Sequence, residues 1–279
     1  MLLGAAAGIA ATAFRGTVHL VFQPAEEGRG GAAAMVRDGL LERFPADAAY
    51  GLHNMPGLAL GTLAAVEGPQ LASSDSWEVV FRGRGSHGAK PHQGRDAVTA
   101  AGVFLAQLHG IVAREVDPLE AAVVSACAVE AGDFAALNVI PEAVRVGGTA
   151  RAYRAEVRDL LEAAIGRQAR GVAGSWGIEA DYAFRRRIPP VVNAPGPVAV
   201  ARRAAVRSLG AGALVTAFPP STAGDDFAEI GTRVPGAYCW LGTGEGAPHH
   251  SAGYDFADAA MPAGIAWWCA VVAEEFTGH

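Results

Sequence analysis

The sequence predicts an α/β protein made of two domains, one inserted in the other. A doubly wound α/β domain is expected at residues 1–73 and 188–279, interrupted by a ferredoxin-like α+β domain at 74–187. Three observations lead there. Apolar strand-like stretches separated by helical ones fill the first 70 or so residues, as in a sheet covered on both faces. From about Ser74 the order becomes β-α-β-β-α-β, that of a split βαβ unit. After Pro189-Pro190 the α/β alternation returns.

The elements follow in chain order. Residues 1–14 suit a helix of small residues, and 16–23 a buried strand with Val and Leu around His19. A signal peptide is the weaker alternative for the N-terminus, because no positive residue precedes the apolar stretch and the first arginine is Arg15. Gly30 to Leu41 suits a short helix, 48–53 a strand ending at His53, and 61–66 a third strand. In the inserted domain, Trp77 to Arg82 partly alternates like a half-exposed strand, and a helix is expected from Asp96 to about Arg114. Strands Ala121–Val129 and Ala143–Tyr153, a helix from Glu156 to about Val172 and a strand Ile178–Arg185 complete it. Beyond it come a helix at 196–209, a strand at 213–218, a short helix at 225–231, a strand at 236–241 and an apolar helix at 258–276.

Composition narrows the function classes. A net charge of −6 and a pI near 5.7 argue against nucleic acid or an anionic membrane as the main partner. No apolar run reaches the roughly 18 residues a membrane span needs. The 22 Lys and Arg residues include a single lysine, Lys90, a compositional bias more than a functional arginine set. Cys127, Cys239 and Cys269 are odd in number, widely spaced and set among apolar residues. They read as buried thiols in a reducing compartment, hence a cytoplasmic protein.

The chemistry-bearing residues gather at strand ends. In Val18-His19-Leu20-Val21-Phe22-Gln23-Pro24-Ala25-Glu26-Glu27-Gly28, two carboxylates end an apolar stretch. Neighbours on a strand point to opposite faces, so both serve one site only if the chain leaves the strand, which Pro24 and Gly28 favour. The alternative is a solvated loop or helix N-terminus. His53 ends a strand, and His249-His250 follows a strand and a glycine-rich loop. Glu27, His53 and His250 would give two nitrogens and one oxygen, suited to zinc or a similar divalent ion, although each alone is more often a packed or surface residue. Gly83-Arg84-Gly85-Ser86-His87-Gly88 matches a dinucleotide-binding pattern, but Pro91 and Gly94 delay the next helix and no acidic residue stands about 20 positions on. The glycines instead read as shaping a turn that presents His87, with an ordinary turn histidine as the alternative. Asn138 and Arg151 offer an amide and a guanidinium to a carboxylate, against a plain role in a hairpin and on a strand face. Asp225-Asp226-Phe227 reads as a helix cap.

Taken in order, Phe22 to Gly28, Gly51-Leu52-His53-Asn54-Met55-Pro56, Gly83 to His92, Asn138-Val139-Ile140-Pro141, Gly148-Thr149-Ala150-Arg151, Asp226-Phe227 and His250 four residues before Tyr254 resemble the zinc-type amidohydrolases that include hippurate hydrolase, N-acyl-amino-acid amidohydrolases and plant auxin-conjugate hydrolases. The resemblance implies a catalytic domain at 1–73 and 188–279, and a lid and dimerisation domain at 74–187 forming a homodimer. It implies hydrolysis of the amide bond of N-acyl amino acids by a metal-activated water. Glu26 would be the general base, and Glu27, His53 and His250 ligands of divalent metal ions, zinc or else manganese or cobalt. His87 would stabilise the oxyanion, reaching into the partner subunit's site, and Asn138 and Arg151 would hold the substrate carboxylate; His249, beside the ligand position, reads as a support of the ligands or a packing residue. In the family pattern a His-x-Cys-Gly-His-Asp segment precedes Met-Leu-Leu-Gly-Ala-Ala, where this chain begins. The resemblance therefore implies an N-terminally truncated catalytic domain with an incomplete metal site. A non-catalytic binding or dimerisation protein that keeps the inserted domain is the alternative.

Overall fold

The computed structural model describes residues 1–277 and divides the chain into two compact units. The first comprises Met1–Leu71, Val191–Ser221 and Asp225–His279, the second Ala72–Pro190 and Thr222–Gly224.

In the first unit the central strand is Gly236–Gly242. It is buried at every position, which is why its sequence is an unbroken run of small and apolar residues. It pairs in parallel with Ala49–Met55, setting His53 opposite Trp240, and antiparallel with Leu63–Ala64, which pairs in parallel with Leu214–Val215. The sheet is therefore mixed. The helices Pro195–Leu209 and Met261–Thr277 pack with it around Leu63, Val198, Ala201, Cys239 and Trp267. Val198, Ala201 and Ala205 recur at helical spacing on the first of these helices, and Trp267 Nε1 donates to the Ala201 carbonyl of the same helix at 3.1 Å. Helix Leu2–Ala10 buries only Ala5 and Ile9, against Val272.

Residues 16–23 correct the sequence expectation. No strand forms there: Val18 and Leu20 do pack beside Ile9 and Val272, but Phe22 is exposed. Apolar content makes a stretch compatible with a strand, whereas a ladder partner makes it one, and no described strand pairs with it. An unforeseen pairing joins Val191–Asn193 to Gly68–Leu71. The buried Asn193 secures it, donating to the carbonyls of Val66 and Tyr238 and accepting from Tyr238 N.

The second unit is an antiparallel sheet in the order Ala122–Ala131, Ala143–Ala152, Ser74–Arg82, Glu179–Ile188. Along Ser74–Arg82 every second residue, from Asp75 to Phe81, is buried. Trp77 and Phe81 meet Phe104 of helix Ala97–Leu108 edge-on, and Leu161 and Ile165 of helix Ala155–Trp176 complete this core. Asp96 caps the first of these helices through Val98 N and Thr99 N. A bulge between Ala126 and Ala128 leaves Cys127 unpaired and exposed, so only Cys239 of the three expected buried thiols is fully buried. A short pairing of Ser86–His87 with Val139–Ile140 stands apart from the main sheet. Among the described residues no helix is long and apolar enough to cross a membrane.

Candidate metal centre and active site

The chain turns sharply after Pro24. Ala25 adopts a left-handed backbone (φ 54°), and the helical stretch Glu26–Arg29 is kinked at Glu27 and at Gly28 (φ 72°). The turn separates the two acids. Glu26 is half-buried, with a carboxylate oxygen within 4.8 Å of Asp225 and Asp226 oxygens. Burial first, then the charges of Asp225, Glu27 and Asp226, push its carboxyl up to about 7. Glu27 faces His250, with Oε2 3.9 Å from Nδ1. His250 also holds a left-handed backbone (φ 63°), and with Ala25 it is one of two non-glycine residues at positive φ among those described. Both border the acidic pair, where strain of this kind tends to collect.

His53 lies near the end of Ala49–Met55. Its Nδ1 is 2.8 Å from the Asn54 carbonyl, which can only accept, so Nδ1 carries the proton and Nε2 keeps a free lone pair. That is the tautomer of a metal-binding imidazole oriented by a backbone carbonyl. His249 stands edge-on to His53 with centroids 5.1 Å apart, and Asn54 Nδ2 donates to its Nε2 at 2.9 Å. Burial, then His53 and His250, hold its pKa below the usual histidine range, consistent with a neutral acceptor.

Asp225 and Asp226 are the residues that sequence reasoning missed. The expected cap is partly there: Asp225 Oδ1 accepts from Phe227 N at 2.8 Å. Its other oxygen accepts from the buried Tyr238 hydroxyl at 2.7 Å. Asp226 is fully buried, accepts from Ala32 N at 2.8 Å and from the Gln23 amide, and has its pKa raised chiefly by burial. Two adjacent acids after a glycine were the available signal, but the partners of Asp226, Ala32 and Gln23, lie 194 and 203 positions away in sequence.

The closest set of ligand atoms among the described residues is thus Glu26, Asp225 and Asp226, not the expected Glu27, His53 and His250. The oxygens of Asp225 and Asp226 are already engaged by protein donors. Glu27 and His250 are largely exposed (78% and 74%), and His53 offers a bare nitrogen. Glu27, His53 and His250 have the donor chemistry of a divalent-cation site, but among the described residues their ligand atoms do not gather within 4.8 Å of one another, only Glu27 and His250 lying close, while the engaged aspartates brace Glu26.

In the second unit, His87 lies opposite Val139, and Gly88 N donates to the Asn138 carbonyl at 2.7 Å, so His87 and Asn138 are neighbours. Ala89 N donates to His87 Nδ1 at 3.0 Å, which leaves Nε2–H of the neutral ring free to donate outward. Arg151 belongs to the larger sheet, opposite Val123, and donates through Nη1 to Ser74 Oγ at 2.7 Å.

The chain is similar to known proteins. The model of peptidase family M20/M25/M40 matches residues 1–274. The chain is 36% identical over 239 residues to an N-acetylcysteine deacetylase of Bacillus subtilis, covering 85% of this chain and 61% of that protein. It is 36% identical over 257 residues to a hippurate hydrolase of Campylobacter jejuni, covering 92% and 67%. A solved Bacillus subtilis structure, a dinuclear metal-binding peptidase of the M20 family, superposes with a TM-score of 0.81 at 32% identity over 99% of this chain and 70% of that one. The chain spans about six tenths of the length of the first curated relatives it matches.

Proposed function

The chain belongs to peptidase family M20/M25/M40, and from that premise we propose that it carries the working residues of a metal-dependent amidohydrolase acting on N-acyl amino acids. Glu27, His53 and His250 would hold a divalent cation, zinc by preference with manganese or cobalt as substitutes. Bound there, such a cation supplies Lewis acidity.

The chain's own residues do the rest. Glu26 takes a proton from the attacking water and passes it to the leaving amine nitrogen. Its half-buried position among carboxylates, with a pKa near neutral, is the observation that carries this reading. Asp225 and Asp226, fixed by Tyr238, Phe227 N, Ala32 N and Gln23, hold the negative surroundings that keep Glu26 basic. His87 donates its Nε2 proton to the tetrahedral oxygen. Asn138 and Arg151 bind the carboxylate of the amino acid. A homodimer through residues 74–187 is supported by the edge strand Ala122–Ala131, exposed from Cys127 onward. A cytoplasmic location agrees with three unpaired cysteines.

Zinc titration by calorimetry, with release of glycine from N-benzoylglycine and N-acetylglycine, tests the proposal. Glu27→Gln, His53→Ala and His250→Ala are each expected to weaken zinc binding at least about 10-fold, and Glu26→Gln to spare binding but lower kcat by roughly 10²–10⁴-fold. A protein that binds zinc no better than these variants and releases no amino acid overturns it.

A further inference from the structure

The segment between the strands Ala122–Ala131 and Val139–Ile140 displays apolar side chains in water on a built scaffold. Gly132 turns it with φ 61°. Asp133 Oδ1 accepts from Ala135 N at 2.8 Å, Asp133 O from Ala136 N at 3.0 Å, and Ala136 O from Val139 N at 3.0 Å. On this frame Phe134 is 95% exposed, Leu137 80% and Val139 54%. Three such side chains within residues 134–139 concentrate exposed apolar surface in one short stretch, at the cost of their burial.

Their neighbours identify the occupant. Val139 lies directly opposite His87 in an antiparallel pair, so the two side chains stand on the same face. Leu137 directly precedes Asn138, whose carbonyl is tied to Gly88 N. The segment therefore places an apolar residue next to each polar one: Val139 across the ladder from His87, and Leu137 before Asn138 in the chain. Resting on the function proposed above, His87 meets the carbonyl oxygen and Asn138 the amino acid's carboxylate. The chain of the acyl group is bonded to that carbonyl carbon, two bonds from the oxygen His87 addresses.

We propose that Phe134 and Leu137, with Val139, form the acyl-specificity surface, taking an apolar, aromatic acyl group in preference to acetyl. These residues touch neither the reacting atoms nor the carboxylate. They set which acyl group is favoured, and being exposed they can be changed without opening a core.

The test is the ratio of kcat/KM for N-benzoylglycine to that for N-acetylglycine, with zinc, in the wild-type chain and in the double variant Phe134→Ala/Leu137→Ala. Matching far-ultraviolet dichroism of the two proteins confirms the fold. The ratio is expected to fall about 10-fold or more in the variant, the scale of a lost hydrophobic contact. Dissociation constants of the two amides for the same proteins, by calorimetry, are expected to shift in the same direction. Turnover or binding with an unchanged ratio overturns this inference and leaves the amidohydrolase reading standing. Neither turnover nor binding of either amide by the wild type overturns that reading and this inference with it. A variant that keeps the ratio but sediments as a monomer where the wild type is a dimer also overturns it, reassigning the loop to contact between copies.

Discussion

Glu26 shares a small volume with Asp225 and Asp226 and stands next to Glu27, and its raised pKa has a thermodynamic consequence. Its folded value, about 7, exceeds the ordinary 4.5, so between those values the folded protein binds more of this proton than the unfolded chain does. Stability therefore falls as pH rises across that window, with the penalty absent below 4.5 and complete above about 7. Asp226, also raised, acts with the same sign from lower pH, whereas His249, held below the usual histidine range, acts with the opposite sign. The difference between wild type and Glu26→Gln isolates the Glu26 contribution. In metal-free protein, urea midpoints at pH 4.5, 6 and 8 should show the wild type losing ground to the variant as pH rises. A constant difference would mean that Glu26 titrates as if in water.

The element that makes this possible is the turn from Gln23 to Gly31, in which Ala25, Gly28 and Gly30 all have positive φ. A Cβ at Gly30 would meet open space, so Gly30→Ala should cost only the left-handed backbone, about 1–2 kcal/mol. A Cβ on Gly31 would overlap the Pro24 carbonyl, so Gly31→Ala must open the turn, costing about 1–3 kcal/mol as overpacking and displacing Glu26 as well. Thermal melts and zinc titrations of the two variants separate these cases: both lose stability, but only Gly31→Ala should lose zinc affinity. Much of this element is legible in the sequence, because Pro24 and Gly28 announce that the chain leaves an extended path and adjacent acids on such a path must diverge. What holds it is not legible. Asp226 receives its donors from residues 194 and 203 positions away, and local pattern carries no trace of such partners. The same limit explains residues 16–23, whose composition suits a strand but whose ladder depends on what lies beside them. His53 and His250 were found because they end strands or follow them. Tyr238 was not, because in sequence it is one more apolar member of a buried run.

At the scale of the molecule, the two units have separate cores, one around Cys239, Leu63 and Trp267 and the other around Val79, Phe81 and Phe104. The second also contains a buried ion pair. Asp75, on the core face of its strand, accepts from Arg158 Nε at 2.8 Å and Nη2 at 2.5 Å, from Ser73 Oγ at 3.0 Å and from Arg187 N at 3.1 Å. All four donors belong to the second unit. Removing Arg158 leaves a buried anion short of its main partner, so Arg158→Met should destabilise this unit by about 3–5 kcal/mol. Adding Asp75→Val should recover part of the loss by removing the stranded charge. Recovery stays incomplete because the buried Ser73 Oγ then lacks this acceptor, at about 1–3 kcal/mol for a donor left unsatisfied. Hydrogen exchange shows where the damage goes. Protection at Val79 and Val146 should drop in Arg158→Met and partly return in the double variant, while protection at Cys239 and Leu241 changes far less. An equal loss at all four amides would mean that the two cores open as one cooperative unit.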